Sequence, residues 1–92
     1  MDYRIHPGIV FQTICGRSFL IAVRLARKEC PHLQELNEYG AFCWCLLEQG
    51  RREEEMIPEI MKEYLVNEEE AREGLTQFIK ELSDFHYLLP ED

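Results

Sequence analysis

Nowhere in this chain do apolar residues run on for the roughly 20 positions that a membrane-crossing helix requires, so no membrane partner is expected. Its first residues, Met1-Asp2-Tyr3-Arg4, lack the basic and apolar blocks of a signal peptide, and a cytoplasmic location is expected. Positive charge is scarce as well. Ten Lys and Arg stand against eighteen Asp and Glu, a formal net charge of −8. Nucleic-acid affinity rests largely on Lys and Arg neutralising phosphates, so this balance argues against DNA or RNA as a partner. The imbalance is uneven. Residues 1–36 carry five basic and three acidic side chains, whereas residues 37–92 carry five and fifteen.

The residues of catalysis are also missing from the places where chemistry needs them. Three histidines (His6, His32, His86) are scattered, and no Ser or Cys is set beside one by a recognisable motif. There is no phosphate-binding loop, no dinucleotide glycine fingerprint and no His-Glu-x-x-His pair. The glutamates of 53–55 and 68–70 fall at expected helix starts, where they favour the helix dipole. An enzyme is not expected, nor a cofactor. Four cysteines, Cys15, Cys30, Cys43 and Cys45, match no usual zinc spacing. Cys43 and Cys45 lie two apart on an expected helix, so their side chains diverge by roughly 200°. Neither a metal site nor, in a reducing compartment, a disulfide is expected.

What is present is a globular composition. Ninety-two residues, 46% of them hydrophobic, with five Phe, four Tyr and one Trp, suit one domain over 1–92. A chain of this size buries about 60% of its unfolded surface, enough for one modest core. Ile9 to Ile14 is rich in β-branched and aromatic residues and predicts a strand. Cys15-Gly16-Arg17-Ser18 supplies a tight turn. Phe19, Ile21, Val23 and Leu25 alternate along a second strand. Ala26 to Pro31 reads as a polar connection, and His32 to Leu36 as a third, short strand at a sheet edge, with Pro31 before it. Three short strands cannot close on themselves, so an edge with unpaired backbone groups is expected.

Three helices follow. Asn37 caps the first, whose apolar stripe is Tyr39, Phe42, Cys43, Leu46 and Leu47, and Gly50 ends it. The second runs from about Glu53 to Tyr64, with Met56, Ile57, Ile60 and Tyr64 inward. Pro58 fits it only in or near the first turn. Asn67 and Glu70 form a capping box for the third, which runs to about Asp84. Ala71, Leu75, Phe78 and Leu82 face the core, and Arg72, Thr76 and Ile79 occupy the neighbouring flank. Phe85 to Leu89 predicts an apolar tail folded onto the core, with Pro90-Glu91-Asp92 frayed. The expected fold is α+β: a winged helix-turn-helix-like arrangement with an N-terminal three-stranded antiparallel sheet packed on three helices.

Two modes of binding suit that fold. The third helix could read DNA, as in a winged-helix regulator. Six acidic and two basic residues over 67–84 give it the wrong sign for a groove. Alternatively, an extended peptide adds to the sheet edge and drops alternate side chains into the groove beside the third helix.

Leu36-Asn37-Glu38-Tyr39-Gly40-Ala41-Phe42-Cys43-Trp44 resembles the Leu-Asn-x-x-Gly-x-x-x-Trp signature of the PqqD-like family, the RiPP recognition elements. The resemblance extends over nearly the whole chain, including His6-Pro7, Gly50, and Tyr64 with Val66. It implies a domain that binds the leader segment of a ribosomally made precursor peptide as an added strand. Such a domain presents the precursor to a radical S-adenosylmethionine enzyme or another modifying enzyme. By the same resemblance, the docking edge is His32, Leu33, Gln34, Glu35 and Leu36, with Gln34 expected as an edge donor. The helical wall is Arg72, Leu75, Thr76 and Ile79, with Arg72 and Lys80 meeting acidic leader side chains. Asn37, Gly40 and Trp44 become structural. Arg52 stands where the family often has a Thr cap, and His86 where it often has Gly. A structural adaptor, or a homodimer paired edge to edge, is the alternative outcome.

Overall fold

The computed structural model describes residues 2–91, in the order β1 (Asp2–Ile5), β2 (Ile9–Ile14), β3 (Arg17–Ala22), α1 (Ala26–Glu29), β4 (Leu33–Leu36), α2 (Glu38–Glu48), α3 (Glu53–Tyr64), α4 (Glu68–Asp84) and β5 (Leu88–Glu91). The β2–β3 hairpin turns on Cys15-Gly16, both with positive φ (53° and 78°), the backbone that a two-residue hairpin loop demands. β4 joins the far side of β3, giving an antiparallel sheet ordered β2-β3-β4. Strand side chains alternate in direction. Phe11, Leu20, Ala22 and Leu36 therefore turn towards the helices, while Val10, Ile21 and Leu33 face outward.

Each helix is closed by local chemistry. Asn37 Oδ1 accepts from the Gly40 N–H (2.7 Å) and caps α2. The Glu55 carboxylate accepts the Arg52 N–H (2.9 Å) at the start of α3. Pro58 sits in that helix at its sixth residue, one turn deeper than the sequence suggests, and the helix continues through it. At α4 the capping box is complete: Asn67 Oδ1 accepts from Glu70 N–H (2.8 Å) and Glu70 Oε1 from Asn67 N–H (3.4 Å). Its other end closes without glycine. His86 adopts φ 65°, Tyr87 N–H donates to Leu82 O (2.9 Å) and His86 N–H to Ser83 O (3.0 Å), the Schellman arrangement.

Several local expectations change. β3 stops at Ala22, because Arg24 takes a left-handed φ of 55° that no strand continues through. The polar connection contains α1, which buries Ala26, and it ends at a buried Cys30. The first residues are a strand, β1, and the tail is its partner: Ile5 pairs with Leu88 and Tyr3 with Pro90. Pro90 and Glu91 are thus in a ladder, not frayed, while Asp92 lies outside the described residues. Pro is tolerated there because β5 pairs on one side only. The tail does fold onto the core, where Tyr87 and Leu88 are buried with Trp44, Leu20, Met56, Ile60 and Leu75. Tyr87 also donates its hydroxyl to Pro31 O (2.8 Å) and Cys30 Sγ donates to His86 O (3.3 Å), tying the tail to the approach of β4.

Candidate functional site

β4 is the outer strand of its sheet. In an antiparallel pair, backbone groups of successive residues point alternately at the partner strand and away from it. Ala22 N–H donates to His32 O (3.0 Å). Continuing the register Leu20↔Gln34 and Ser18↔Leu36, the groups of His32, Gln34 and Leu36 therefore point inward to β3. Those of Leu33 and Glu35 point outward. Gln34 is thus not the edge donor that its central position in the strand suggests. Among the described residues, no backbone or side chain accepts the outward N–H groups of Leu33 and Glu35. The Glu35 carbonyl receives only the Gln34 side-chain amide (3.2 Å).

Beside this edge a groove of about 580 Å³ opens between β4 and α4. The β4 side supplies Gln34, Glu35 and Leu36, the start of α2 supplies Asn37, Tyr39 and Gly40, and α4 supplies Gly74, Gln77, Phe78, Glu81, Leu82 and Phe85. The two elements run in opposite directions. Tyr87 bonds Pro31 ahead of β4, whereas Phe78 and Leu36 meet over Gly40 at its far end. The glycines set the depth. A Cβ on Gly40 would stand 3.3 Å from Phe78 and 3.2 Å from Asn37 Oδ1; one on Gly74 would stand 2.9 Å from Tyr39 Oη. Tyr39 packs edge-on to Phe78 (centroids 6.4 Å) and tilted on Tyr64 (5.5 Å). Burial drives its phenol pKa well upward, with the Cys43 thiol as the next influence. That thiol is itself raised to about 11, mainly by burial. Among the described residues the buried Tyr39 hydroxyl has no hydrogen-bond partner.

The helical wall that the resemblance implies lies on a different flank of α4 from the one that lines this groove. Successive residues turn by about 100°, so Gly74, Gln77, Phe78 and Glu81 share the face towards β4, and Thr76 and Lys80 share the opposite one. Thr76, Ile79 and Lys80 line a separate depression with Tyr3, Glu53 and Asp84. Ile79 is 3% exposed and Leu75 2%, so both are core residues. Arg72 spans to α3, where its guanidinium meets Glu54 (3.2 Å), and it lies 3.7 Å from Glu68. Lys80 pairs with Asp84 (3.2 Å). On the strand, Leu33 to Leu36 form β4, while His32 lies just before it and contacts the Arg27 carbonyl (3.2 Å). Glu35 is bound by Arg17 through Nε (2.8 Å), which holds its carboxyl below the usual range. Trp44 is fully buried beneath the helices. Sequence reasoning missed Gly74, Gln77, Phe78 as a wall residue, Glu81 and Phe85. The hydrophobic period marks the buried stripe of α4, but nothing local distinguishes the flank that meets β4.

The architecture defines a winged-helix-like α+β domain with an open sheet edge over a helix-walled groove. The chain belongs to the family described as Coenzyme PQQ synthesis protein D (PqqD), which matches residues 24–88. No curated protein matches it. Among solved structures it is similar to a chain of "TbiB1 in Complex with the TbiA(beta) Leader Peptide", with a TM-score of 0.82 and 25% identity. The alignment covers 97% of this chain and 98% of that one. That relative, by its description, is a leader-peptide complex.

Proposed function

We propose that this domain binds the leader segment of a ribosomally made precursor peptide by adding it as a strand to β4. The outward backbone groups of Leu33 and Glu35, set above the groove, carry this reading. They offer two donors and two acceptors to an extended chain, and unpaired edge groups of this kind recruit another strand. Alternate side chains of the added strand would then enter the groove between β4 and α4. The PqqD family and the leader complex of the structural relative support the same reading. In this reading the wall is Gly74, Gln77, Phe78 and Glu81, which line the groove, in place of Arg72, Leu75, Thr76, Ile79 and Lys80. The domain holds and presents, and a separate modifying enzyme, a radical S-adenosylmethionine enzyme or another, performs the chemistry.

The test removes one outward donor. Leu33→Pro deletes an N–H that faces away from β3, at a residue 58% exposed. Peptides selected from a displayed random dodecapeptide library on the native protein are titrated calorimetrically against both proteins. Loss of binding by at least tenfold, with an unchanged unfolding midpoint, is expected. Equal binding by the folded variant would overturn strand addition at β4.

A further inference from the structure

We propose that the groove selects a cationic segment, with Glu81 as the residue that reads a Lys or Arg on the docked strand; this rests on the strand-addition reading above. Among the described residues, the groove's lining includes two carboxylates, Glu35 and Glu81, and no basic residue. The charged groups around it differ in whether they are already engaged. Glu35 is neutralised by Arg17, Arg72 is turned to Glu54 and Glu68, and Lys80 is turned to Asp84. Glu81 alone of these has no ion-pair or side-chain hydrogen-bond partner among the described residues. Its position on α4 matters as much as its charge. Phe78 marks the Leu36 end of β4 and Tyr87 the Pro31 end. Glu81 lies between them, one helical turn from Phe78, and so flanks the middle of any strand added to β4.

The geometry also fixes a spacing. Residues two apart on a strand project to the same side. A strand seated on Leu33 and Glu35 would place one side chain over the apolar floor of Leu36, Tyr39 and Phe78. The next residue on that face would arrive about 6.7 Å along, near Glu81. The favoured segment is therefore apolar-x-basic, or its reverse according to strand direction. This inverts the expectation that Arg72 and Lys80 would meet an acidic leader. Both cations sit on the other side of the helix.

The selected dodecapeptides supply the probe. Edge-dependent binders are those that lose binding on Leu33→Pro. Within that set, Lys and Arg should exceed Asp and Glu at the position two residues from an apolar anchor. Glu81→Lys should weaken those binders by about fivefold at low ionic strength and less at high salt, with Glu81→Gln intermediate and the unfolding midpoint retained. Edge-dependent binders that favour Asp or Glu, or show no charge preference, would overturn the Glu81 rule and leave strand addition standing. A set that binds Leu33→Pro as well as the native protein, or no binders at all, would instead overturn strand addition and the charge rule with it.

Discussion

The two sides of α4 carry similar residue types and do opposite things with them. On the side towards α3 and β1, the cations of α4 are matched within the chain: Arg72 with Glu54 and Glu68, Lys80 with Asp84. Ile79 seals the packing beneath. On the side towards β4 there is a glycine, a Glu81 unpaired among the described residues, an aromatic floor and a strand with outward N–H groups. Internally matched charge indicates a surface finished by the fold. Unmatched backbone and side-chain groups around a concavity indicate one completed by a second molecule.

That contrast can be tested by substitutions on each side. Ile79→Ala should have the largest effect on stability, a loss of about 3 kcal/mol in urea unfolding, as for other buried aliphatic truncations. A peptide-binding defect without that loss would return Ile79 to the wall. Next comes Gln34→Pro. It removes an inward N–H and should cost about 2 kcal/mol, whereas its neighbour Leu33→Pro should leave stability nearly unchanged and abolish binding. Two adjacent prolines with opposite phenotypes would establish the strand's parity; the reverse pattern would contradict the register.

Arg72→Glu should produce a small loss of stability that added salt removes, since its pairs with Glu54 and Glu68 are exposed. Peptide affinity in calorimetry should not move. A marked loss of affinity would place Arg72 in the binding site after all.

These outcomes bear on what sequence can specify. The helix starts at Asn37 and Asn67 were legible because a cap is decided within four residues. So was the β2–β3 hairpin, from its glycine turn and alternation. The β1–β5 ladder was not, because its pairs, such as Ile5 with Leu88, are distant in sequence and one strand contains Pro90. The four-residue α1 escaped because a single turn has no period to detect. The edge strand was legible as residues, but its inward and outward parity depends on the bond from Ala22 to His32, a tertiary fact. The same holds for α4: its buried stripe is periodic, yet the choice of flank is made by where β4 lies.

His86 offers a smaller test of the C-terminal end of that helix. It holds a left-handed φ of 65° at a Schellman position where glycine costs nothing sterically. His86→Gly should raise stability by about 0.5–1 kcal/mol, relief of strain outweighing the glycine's added freedom in the unfolded chain. Unchanged or lower stability would show that the His86 side chain contributes more than its backbone costs.

The smallest stability effect is expected at Gly74, and it separates folding from binding most cleanly. Alanine there gains up to about 1 kcal/mol in helix propensity. Against this, its Cβ would lie 2.9 Å from Tyr39 Oη, so the phenol, which lines the groove, must shift. The two terms nearly cancel, and the unfolding free energy of Gly74→Ala should stay within about 0.5 kcal/mol of the native value. The groove floor does not stay the same, because Tyr39, Gly74 and Phe78 together shape its apolar end. Peptide affinity should therefore fall severalfold in a protein as stable as the original. An alanine variant that binds as well as the native chain would show that docked peptides stop short of this end and engage only the strand edge.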